Sequence, residues 1–209
     1  MQYLAAHSLA RIVVGTHLGR EPASLRFVSR CQSCGGPHGK PRLDDPGADL
    51  EVSLSHSGTR IVVAVARGVP VGVDVEQTIP PAEGALPAEV MLSSRERQVW
   101  EGLSRPDRGP ALFRYWVRKE AVLKATGDGL AVSPGLLTVS GPDEPARLLD
   151  WAGPSPSPVG AVRLHDLDPG PGFAACVALL AGAPHRVVQH EAAVEVPVGQ
   201  WVGNGIRMT

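Results

Sequence analysis

Aromatic residues are scarce in this sequence, and neither sign of charge is in excess. Only 4% of the 209 residues are aromatic although 43% are hydrophobic, so aliphatic side chains and alanine must fill the core. The net charge of -1, from 20 basic and 21 acidic residues, provides no global field that would attract nucleic acid or an anionic membrane. We therefore expect neither partner. The length suits one domain, or two small halves that share a core.

Cysteines are few, and long apolar runs are absent. Three cysteines, an odd number, argue against a disulfide framework and favour a reducing compartment. No run of about 18 apolar residues is present, so no transmembrane helix is predicted. Residues 1–11 lack the basic start and the long apolar stretch of a secretory signal. Together these features predict a cytoplasmic protein.

Glycine and proline, by contrast, are abundant. The 24 glycines and 20 prolines predict many turns and argue against long uninterrupted helices. Loops are predicted over residues 30–49 and 104–110, and a proline-rich connection over 79–87. Ser93 and Glu96 have the spacing of a capping box, which predicts that a helix begins there.

Apolar periodicity predicts the regular elements. Three strands are predicted within residues 50–76, with 67–70 joining two antiparallel strands. Helices are predicted over 3–18 and 111–126. Short strands are expected around 136–139, 159–164 and 174–180. The apolar side of the first helix is expected to carry Leu4, Leu9, Ile12, Val13 and Leu18.

Two carboxylates stand close together in one of the predicted strands, at Asp74 and Glu76. Strand alternation places both on one face, while Val73 and Val75 point to the other face and anchor the strand in a core. Adjacent carboxylates repel each other unless a cation lies between them, and magnesium prefers such oxygen ligands. The alternative is an acidic strand edge that simply faces water.

Trp116, Glu120 and Lys124 recur at four-residue intervals in the predicted helix 111–126. This spacing places them on one stripe of the helix. Glu120 could act there as a carboxylate ligand or a base, and Lys124 could meet a phosphate. The alternative is an ordinary exposed glutamate–lysine pair, which contributes only about 0.3–0.5 kcal/mol.

Hydroxyl, imidazole and ammonium groups in two turn-rich stretches could bind an anion. Ser55 and His56 end a predicted strand before Gly58, where side-chain donors and free backbone N–H groups combine. Lys40 precedes Pro41 in a rigid loop, without the glycine spacing of a P-loop. Ordinary turn chemistry accounts for the serine and glycine equally well.

Two further kinds of site are weighed and disfavoured. Cys31, Cys34 and His38 could supply three zinc ligands, but structural zinc sites usually have four and no fourth ligand is evident. Reduced structural cysteines are the alternative. A serine hydrolase is poorly supported because the sequence has no Gly-x-Ser-x-Gly elbow.

Taken in order along the chain, these motifs resemble those of the surfactin-type 4′-phosphopantetheinyl transferases. Each motif is modest, but their common order and spacing make the resemblance specific. It covers roughly residues 1–185. The matching stretches are Gly39-Lys40-Pro41, Ser53-Leu54-Ser55-His56-Ser57, Val71-Gly72-Val73-Asp74-Val75-Glu76, and the segments 113–129 and 168–178.

The resemblance implies an α+β fold of two similar halves related by a pseudo-two-fold axis, with the active site in the cleft between them. Residues 1–76 would form an N-terminal half that lacks about 40 residues usual at the start of the family. Residues 77–190 would form the C-terminal half, and 191–209 a flexible tail. A monomer is expected.

The resemblance also implies a role for each site residue. Asp74, Glu76 and Glu120 match the metal-binding acids, and Lys124 matches the lysine that binds the pyrophosphate of coenzyme A. Glu120 and Lys124 are the catalytic candidates, Glu120 because it would activate the acceptor serine directly or through water. Lys40, Ser55 and His56 match residues that hold the 3′-phosphoadenosine end of coenzyme A, and Pro41 is a further coenzyme A-binding candidate.

The implied reaction moves the 4′-phosphopantetheine moiety of coenzyme A to a serine of an acyl or peptidyl carrier protein. It releases 3′,5′-ADP and depends on Mg²⁺. Fatty-acid, polyketide and peptide synthases all remain open as the source of the carrier protein. The alternative function is that of a non-catalytic homologue that only binds coenzyme A or a carrier protein.

Overall fold

Helices and strands alternate irregularly along the chain, which is described here from a computed structural model. The described residues are 2–30, 35–37, 39–78, 87–153, 159–183 and 185–192. The four helices described are α1 (Gln2–Leu18), α2 (Ala88–Met91), α3 (Ser94–Gly102) and α4 (Arg105–Thr126). The strands described are β1 (Phe27–Ser29), β2 (Pro41–Leu43), β3 (Leu50–Ser57), β4 (Arg60–Arg67), β5 (Val71–Gln77), β6 (Leu137–Val139), β7 (Leu148–Trp151), β8 (Val162–Leu167) and β9 (Phe173–Leu180).

Antiparallel pairing organises the strands, which confirms the predicted α+β class. β5, β9 and β8 form a three-stranded sheet in that spatial order, so a strand of the early chain pairs with the last one. β3 and β4 form a hairpin, and β1–β2 and β6–β7 form two small ladders. The division into halves at residue 76 stays a prediction, and the predicted tail 191–209 lies outside the described residues from 193 onward.

The three strands predicted within 50–76 are confirmed as β3, β4 and β5. Their arrangement differs from a simple meander, because β5 pairs with β9 while β4 pairs with β3. β3 instead runs beside the other edge of β5 in the same direction. Serine hydroxyls make the connection: Ser53 Oγ accepts from the Val73 N–H at 3.0 Å and Ser57 Oγ accepts from the Gln77 N–H at 3.1 Å.

The first helix is confirmed, but its predicted apolar side is wrong. The residues that α1 buries are Ala6, Ala10, Val14 and Gly15, whereas Leu4 is 61% exposed. Small residues allow the helix axis to approach the β3–β4 hairpin, where Val14 packs with Leu50 and Val52. Close approach therefore decides the face more than side-chain hydrophobicity does.

The longest described helix, α4, overturns two predictions. It begins at Arg105, so most of the loop predicted over 104–110 is helical, and its 22 residues form a long helix. Pro106 stands in the first turn, where its missing N–H costs nothing, and Pro110 follows one turn later. Within the described ranges no helix is both long enough and apolar enough to cross a bilayer.

The main core lies between α4 and the strands around it. Val117, Ala121, Val122 and Leu123 of α4 are fully buried there. β6, β8 and β9 confirm the strands expected near 136–139, 159–164 and 174–180, while β1, β2 and β7 were not predicted. β2 begins inside the predicted loop 30–49, and three-residue strands of this kind are too short to show a periodicity.

A buried polar network ties α3 to this core. The predicted capping box is confirmed, because Ser93 Oγ accepts from the Glu96 N–H and Glu96 Oε2 accepts from the Ser93 N–H. Glu96 also receives the Lys119 ammonium of α4 at 2.5 Å, and its second oxygen accepts from the Val139 N–H at 2.7 Å. One glutamate thereby joins α3, α4 and β6.

Candidate active site

The site forms where the last turns of α4 cross β5. Gly72, Asp74 and Glu76 share one face of β5, and α4 packs on that face. A Cβ at Gly72 would overlap the Ala121 carbonyl oxygen and the Ala125 nitrogen of the helix. The missing side chain therefore sets the distance at which Glu120 and Lys124 of α4 lie over the two strand acids.

Asp74 is the centre of a buried polar triad. Only 3% of this residue is exposed, so it lies beneath α4 rather than on an open wall. Its Oδ1 accepts from the Lys124 ammonium at 2.6 Å and from Ser55 Oγ at 2.7 Å, and Lys124 also reaches Ser55 Oγ at 3.0 Å. Its Oδ2 has no hydrogen-bond partner in the part of the chain described.

Glu76 lies one pleat further along the same face and is held by neutral groups. Ser57 Oγ donates to Glu76 Oε2 at 2.8 Å, and the indole N–H of Trp116 on α4 lies near this carboxylate. Burial raises the pKa of Glu76, and the Asp74 charge adds to that rise. The Ser57 hydrogen bond, the nearby Trp116 indole N–H and the Lys124 charge oppose it by stabilising the ionised form.

Glu120 contributes the third carboxylate. It is 8% exposed, and its Oε1 has no hydrogen-bond partner within the described ranges. Burial raises the pKa of Glu120 to about 7, helped by the charges of Asp74 and Glu76 and opposed by Lys124. A carboxylate with a pKa near neutrality can take up and release a proton under ordinary conditions.

Both simpler alternatives for these residues are wrong. Asp74 is not a solvated strand edge, since it is buried and ion-paired. Lys124 forms its ion pair with Asp74 on another element rather than an exposed pair with Glu120 on its own helix. Residues 50 apart in sequence therefore meet at a tertiary contact.

The acids suit a magnesium ion by their chemistry. Asp74, Glu76 and Glu120 present hard oxygen donors, and two of those oxygens, Asp74 Oδ2 and Glu120 Oε1, are buried and have no hydrogen-bond partner among the described residues. The mutual repulsion that helps to raise the pKa values of Glu76 and Glu120 is what a cation would relieve. Among the residues described, no three such side chains already stand in a metal-binding arrangement, and Lys124 provides the positive charge at Asp74.

Lys40 lies away from open solvent, at the C-terminal end of α4. Its ammonium pairs with Glu51 Oε2 of β3 at 2.9 Å and reaches the Ala125 carbonyl oxygen at 3.4 Å. Burial lowers the pKa of Lys40, while the bond to Glu51 raises it. The structure thus gives Lys40 a carboxylate partner, and Pro41 follows it as the first residue of β2.

His56 and Ser55 point to opposite faces of β3, because neighbouring side chains in a strand alternate. Ser55 faces β5 and joins Asp74, whereas His56 faces the side of α1. The charges of Arg11 and His56 lower the pKa of His7 on that helix, after the larger effect of burial. The structure therefore separates these two residues, which the sequence had grouped in one anion site.

The part of Ser57 in this site was missed. Ser57 belongs to a motif of the family resemblance but had no predicted role, and Ser55 was expected to bind the nucleotide rather than Asp74. One signal was present: Ser53, Ser55 and Ser57 alternate with apolar or aromatic-ring residues, which places three hydroxyls on one strand face. Cys31, Cys34 and His38, the possible zinc ligands, lie outside the described residues.

Comparison with known proteins gives a single family. Residues 70–176, just over half of the chain, match the family model described as the 4′-phosphopantetheinyl transferase superfamily. The 4′-phosphopantetheinyl transferase HetI of Nostoc sp. is 33% identical over 149 residues, which are 70% of this chain and 60% of that protein. The 4′-phosphopantetheinyl transferase psf-1 of Bacillus pumilus is 36% identical over 138 residues, 64% of this chain and 55% of that protein.

The similarity is partial in length. The chain spans 60% and 55% of the two relatives named above. Among solved structures, holo-[acyl-carrier-protein] synthase of Thermotoga maritima aligns with a TM-score of 0.43 and 19% identity, over 55% of this chain and 65% of that one.

Proposed function

The chain belongs to the 4′-phosphopantetheinyl transferase superfamily, and from this premise we propose that it transfers 4′-phosphopantetheine from coenzyme A to a serine of an acyl or peptidyl carrier protein. The other product is 3′,5′-ADP. The observation that carries the proposal is the convergence of Asp74, Glu76, Glu120 and Lys124 on one face of β5, in the segment matched by the family. Three acids and a lysine suit a doubly charged pyrophosphate with its metal ion.

The reaction needs a base and an electrophilic phosphorus. The acceptor serine oxygen forms a bond to the β-phosphorus of coenzyme A, and the bond from that phosphorus to the bridging oxygen breaks. The bridging oxygen and its electron pair leave with 3′,5′-ADP. A neutral serine is a poor nucleophile near pH 7, so its proton must pass to a base. Glu120, whose side chain lies beside Asp74 and Lys124, is that base in our proposal, directly or through one water.

Lys124 supplies a positive charge next to the transferred phosphate. Its ammonium is on Asp74 in the structure and is partly exposed, so it can turn towards an arriving pyrophosphate without leaving the site. Charge on the phosphate oxygens is stabilised by such a preorganised cation.

Asp74, Glu76 and Glu120 are the residues that would hold a magnesium ion. When bound, magnesium would neutralise part of the pyrophosphate charge and fix its orientation. Asp74 Oδ2 and Glu120 Oε1, which are buried and have no hydrogen-bond partner among the described residues, support this assignment, as does the mutual repulsion of the acids. We extend it to the nucleotide: Lys40, Pro41, Ser55 and His56 would bind the 3′-phosphoadenosine end, which for Lys40 and Ser55 requires exchange of their present carboxylate partners.

We also propose that the protein belongs to the surfactin-type branch of the family, is a monomer and works in the cytoplasm. The ordered motifs around Lys40, Ser55, Asp74 and Glu120 support the branch. The buried, free Cys176 suits a reducing compartment.

Mass spectrometry tests the proposed function directly. Purified protein, coenzyme A and Mg²⁺ are incubated with apo acyl and apo peptidyl carrier proteins, and a carrier whose acceptor serine is alanine serves as the blank. We expect one phosphopantetheine to be added per serine-containing carrier, with an equal amount of 3′,5′-ADP. Binding of coenzyme A with no mass change on any carrier would identify a non-catalytic homologue instead.

A further inference from the structure

Three serines on one face of β3 meet β5 in three different ways. Ser53 Oγ accepts from the Val73 backbone N–H and forms no hydrogen bond with a carboxylate among the described residues. Ser55 Oγ donates to Asp74, which also holds Lys124. Ser57 Oγ accepts from the Gln77 N–H at 3.1 Å and donates to Glu76 Oε2 at 2.8 Å. The third serine therefore connects the backbone of β5 with one of its acidic side chains.

Side chains from two elements, β3 and α4, lie next to the Glu76 carboxylate. Ser57 donates to Glu76 Oε2 from β3, and the indole N–H of Trp116 on α4 lies near the same carboxylate and helps to lower its pKa. Ser57 is itself fixed by the Gln77 N–H, so its hydroxyl has one oxygen lone pair engaged and its proton directed at Glu76. A carboxylate that accepts from a hydroxyl which is itself fixed has lost part of its freedom to rotate.

The nature of these donors distinguishes Glu76 from Asp74. Asp74 is paired with an ammonium, so its charge is balanced within the protein. The hydrogen bond to Glu76 comes from a hydroxyl, and the group near its other side is a neutral indole; both orient a carboxylate but leave its negative charge in place. Glu76 is thus an oriented acid whose charge remains available to a cation.

We propose that Ser57 and Trp116 are positioning residues that hold Glu76 in the orientation needed to bind the divalent cation. This inference rests on the proposed function. Outer groups that orient a metal ligand typically change metal affinity about 10–100-fold when removed. A decrease of the same size is expected here. It should lower the affinity for the cation more than it lowers the rate of phosphate transfer.

The decisive variant is Ser57→Ala, with Ser53→Ala as its matched control. Both remove a hydroxyl that accepts from the β5 backbone, but only Ser57→Ala also releases a carboxylate. Ser57→Thr restores the hydroxyl. Trp116→Phe keeps an aromatic ring and removes only the indole donor, so it tests the same positioning from α4 if Ser57→Ala does not fold.

The first readout is Mn²⁺ affinity of the protein without coenzyme A, measured by electron paramagnetic resonance of free Mn²⁺. We expect about 10-fold or greater weakening in Ser57→Ala and Trp116→Phe, and little change in Ser53→Ala and Ser57→Thr. The second readout is transfer at varied Mg²⁺. The Mg²⁺ concentration for half-maximal rate should rise in the same two variants, while the rate at saturating Mg²⁺ changes less.

Equal Mn²⁺ affinity in Ser57→Ala and Ser53→Ala would overturn the positioning role, since both would then be structural serines. If the wild-type protein performs transfer but all variants bind Mn²⁺ with the same affinity, the proposed function stands and only this inference is overturned. Absence of transfer in the wild type would overturn the proposed function, while the Mn²⁺ comparison would still decide whether Glu76 is positioned for a cation.

Discussion

Lys124 and Asp74 form an ion pair whose two members have different surroundings. The lysine side chain is 26% exposed, whereas that of the aspartate is 4% exposed. Removing the lysine therefore leaves the buried charge of Asp74 without its ion-pair partner. Removing Glu120 takes away a carboxylate that is costly to ionise. Substitutions of Lys124 and Glu120 should therefore differ in their effect on stability, although the two residues lie on the same stripe of α4.

We expect Lys124→Met and Glu120→Gln each to slow carrier modification by about 10²-fold, because each removes a preorganised charge or base. Their stabilities should differ. Lys124→Met should lose about 3 kcal/mol, since Asp74 keeps only the Ser55 hydroxyl, and Glu120→Gln should melt at or above the wild-type temperature. Single-turnover rates and calorimetric melts of the same preparations check both. Near-normal rates in both variants would remove these residues from the active site.

Glu120 also predicts how stability depends on pH without metal. Its pKa is raised from 4.5 to about 7, so the folded state holds this proton more tightly than the unfolded chain does. The stabilisation is present below pH 4.5 and is lost as pH rises through 7, because the unfolded state binds fewer protons in that window. Since the shift corresponds to more than 1 kcal/mol, the melting temperature should fall by about 2 °C or more between pH 5 and 7.5.

The matched measurement uses Glu120→Gln in the presence of a chelator. This variant should show a smaller fall across the same pH range, because the glutamine does not titrate. Glu76, whose pKa is also raised, would account for the part that remains. Identical pH profiles for the two proteins would contradict the raised pKa of Glu120.

For single residues, strand alternation predicted correctly that Asp74 and Glu76 share a face of β5. Helix spacing predicted correctly that Glu120 and Lys124 lie on one stripe of α4. The partners could not be predicted. Lys40 meets Glu51 and Ser57 meets Glu76 only because particular strands lie side by side, and no local pattern carries that information.

The approach of α4 to β5 decides whether these side chains can meet. Gly72 lies directly beneath the helix backbone, so the contact is between main chains and has no side chain that could move aside. Interiors of this density tolerate little added volume.

Gly72→Ala should therefore push α4 away from β5 and cost about 1–3 kcal/mol or more. It should also weaken transfer, because Glu120 and Lys124 move with the helix. Gly109→Ala is the control on the same helix: a Cβ there meets nothing within 4 Å, so it should stabilise α4 by about 0.5–1 kcal/mol. Urea unfolding of both variants checks the pair, and equal stabilities would contradict the close contact.

Element existence was largely predictable, because α1, α4 and the long strands have clear periodicity. The start of α4 was not. Pro106, Gly109 and Pro110 were interpreted as a loop from their residue types, but a proline in the first turn costs a helix no hydrogen bond. The buried side of α1 was also missed, since close packing on the hairpin favours alanine over leucine.

A buried ion pair, Lys119–Glu96, joins α4 to α3, and both of its side chains are almost inaccessible to solvent. The lysine also donates to the Met91 and Pro134 carbonyl oxygens, so every proton of its ammonium is engaged. Nothing in the sequence distinguished this lysine from an exposed one, because pairing with Glu96 depends on how α3 packs against α4.

Lys119→Met should lose about 3–5 kcal/mol, since it leaves Glu96 charged and buried. Arg20→Met, which breaks the exposed pair with Asp45, should lose less than about 1 kcal/mol and serves as the reference. Denaturant midpoints of the two variants measure the difference. A loss below 1 kcal/mol for Lys119→Met would show that the pair is not needed for stability.

The pairing of β5 with β9 has a consequence for the order in which the protein can be made. Residues 71–77 bear two of the site acids, yet their hydrogen-bonded neighbour is residues 173–180. During synthesis from the N-terminus, β5 leaves the ribosome long before its partner exists, with one edge open to wrong pairing. Contacts so distant in sequence also form slowly, because a long loop must close first. Competence for chemistry should therefore arise late and all at once, when β9 docks, and a nascent chain stopped short of Phe173 should have a hairpin and helices but no assembled site.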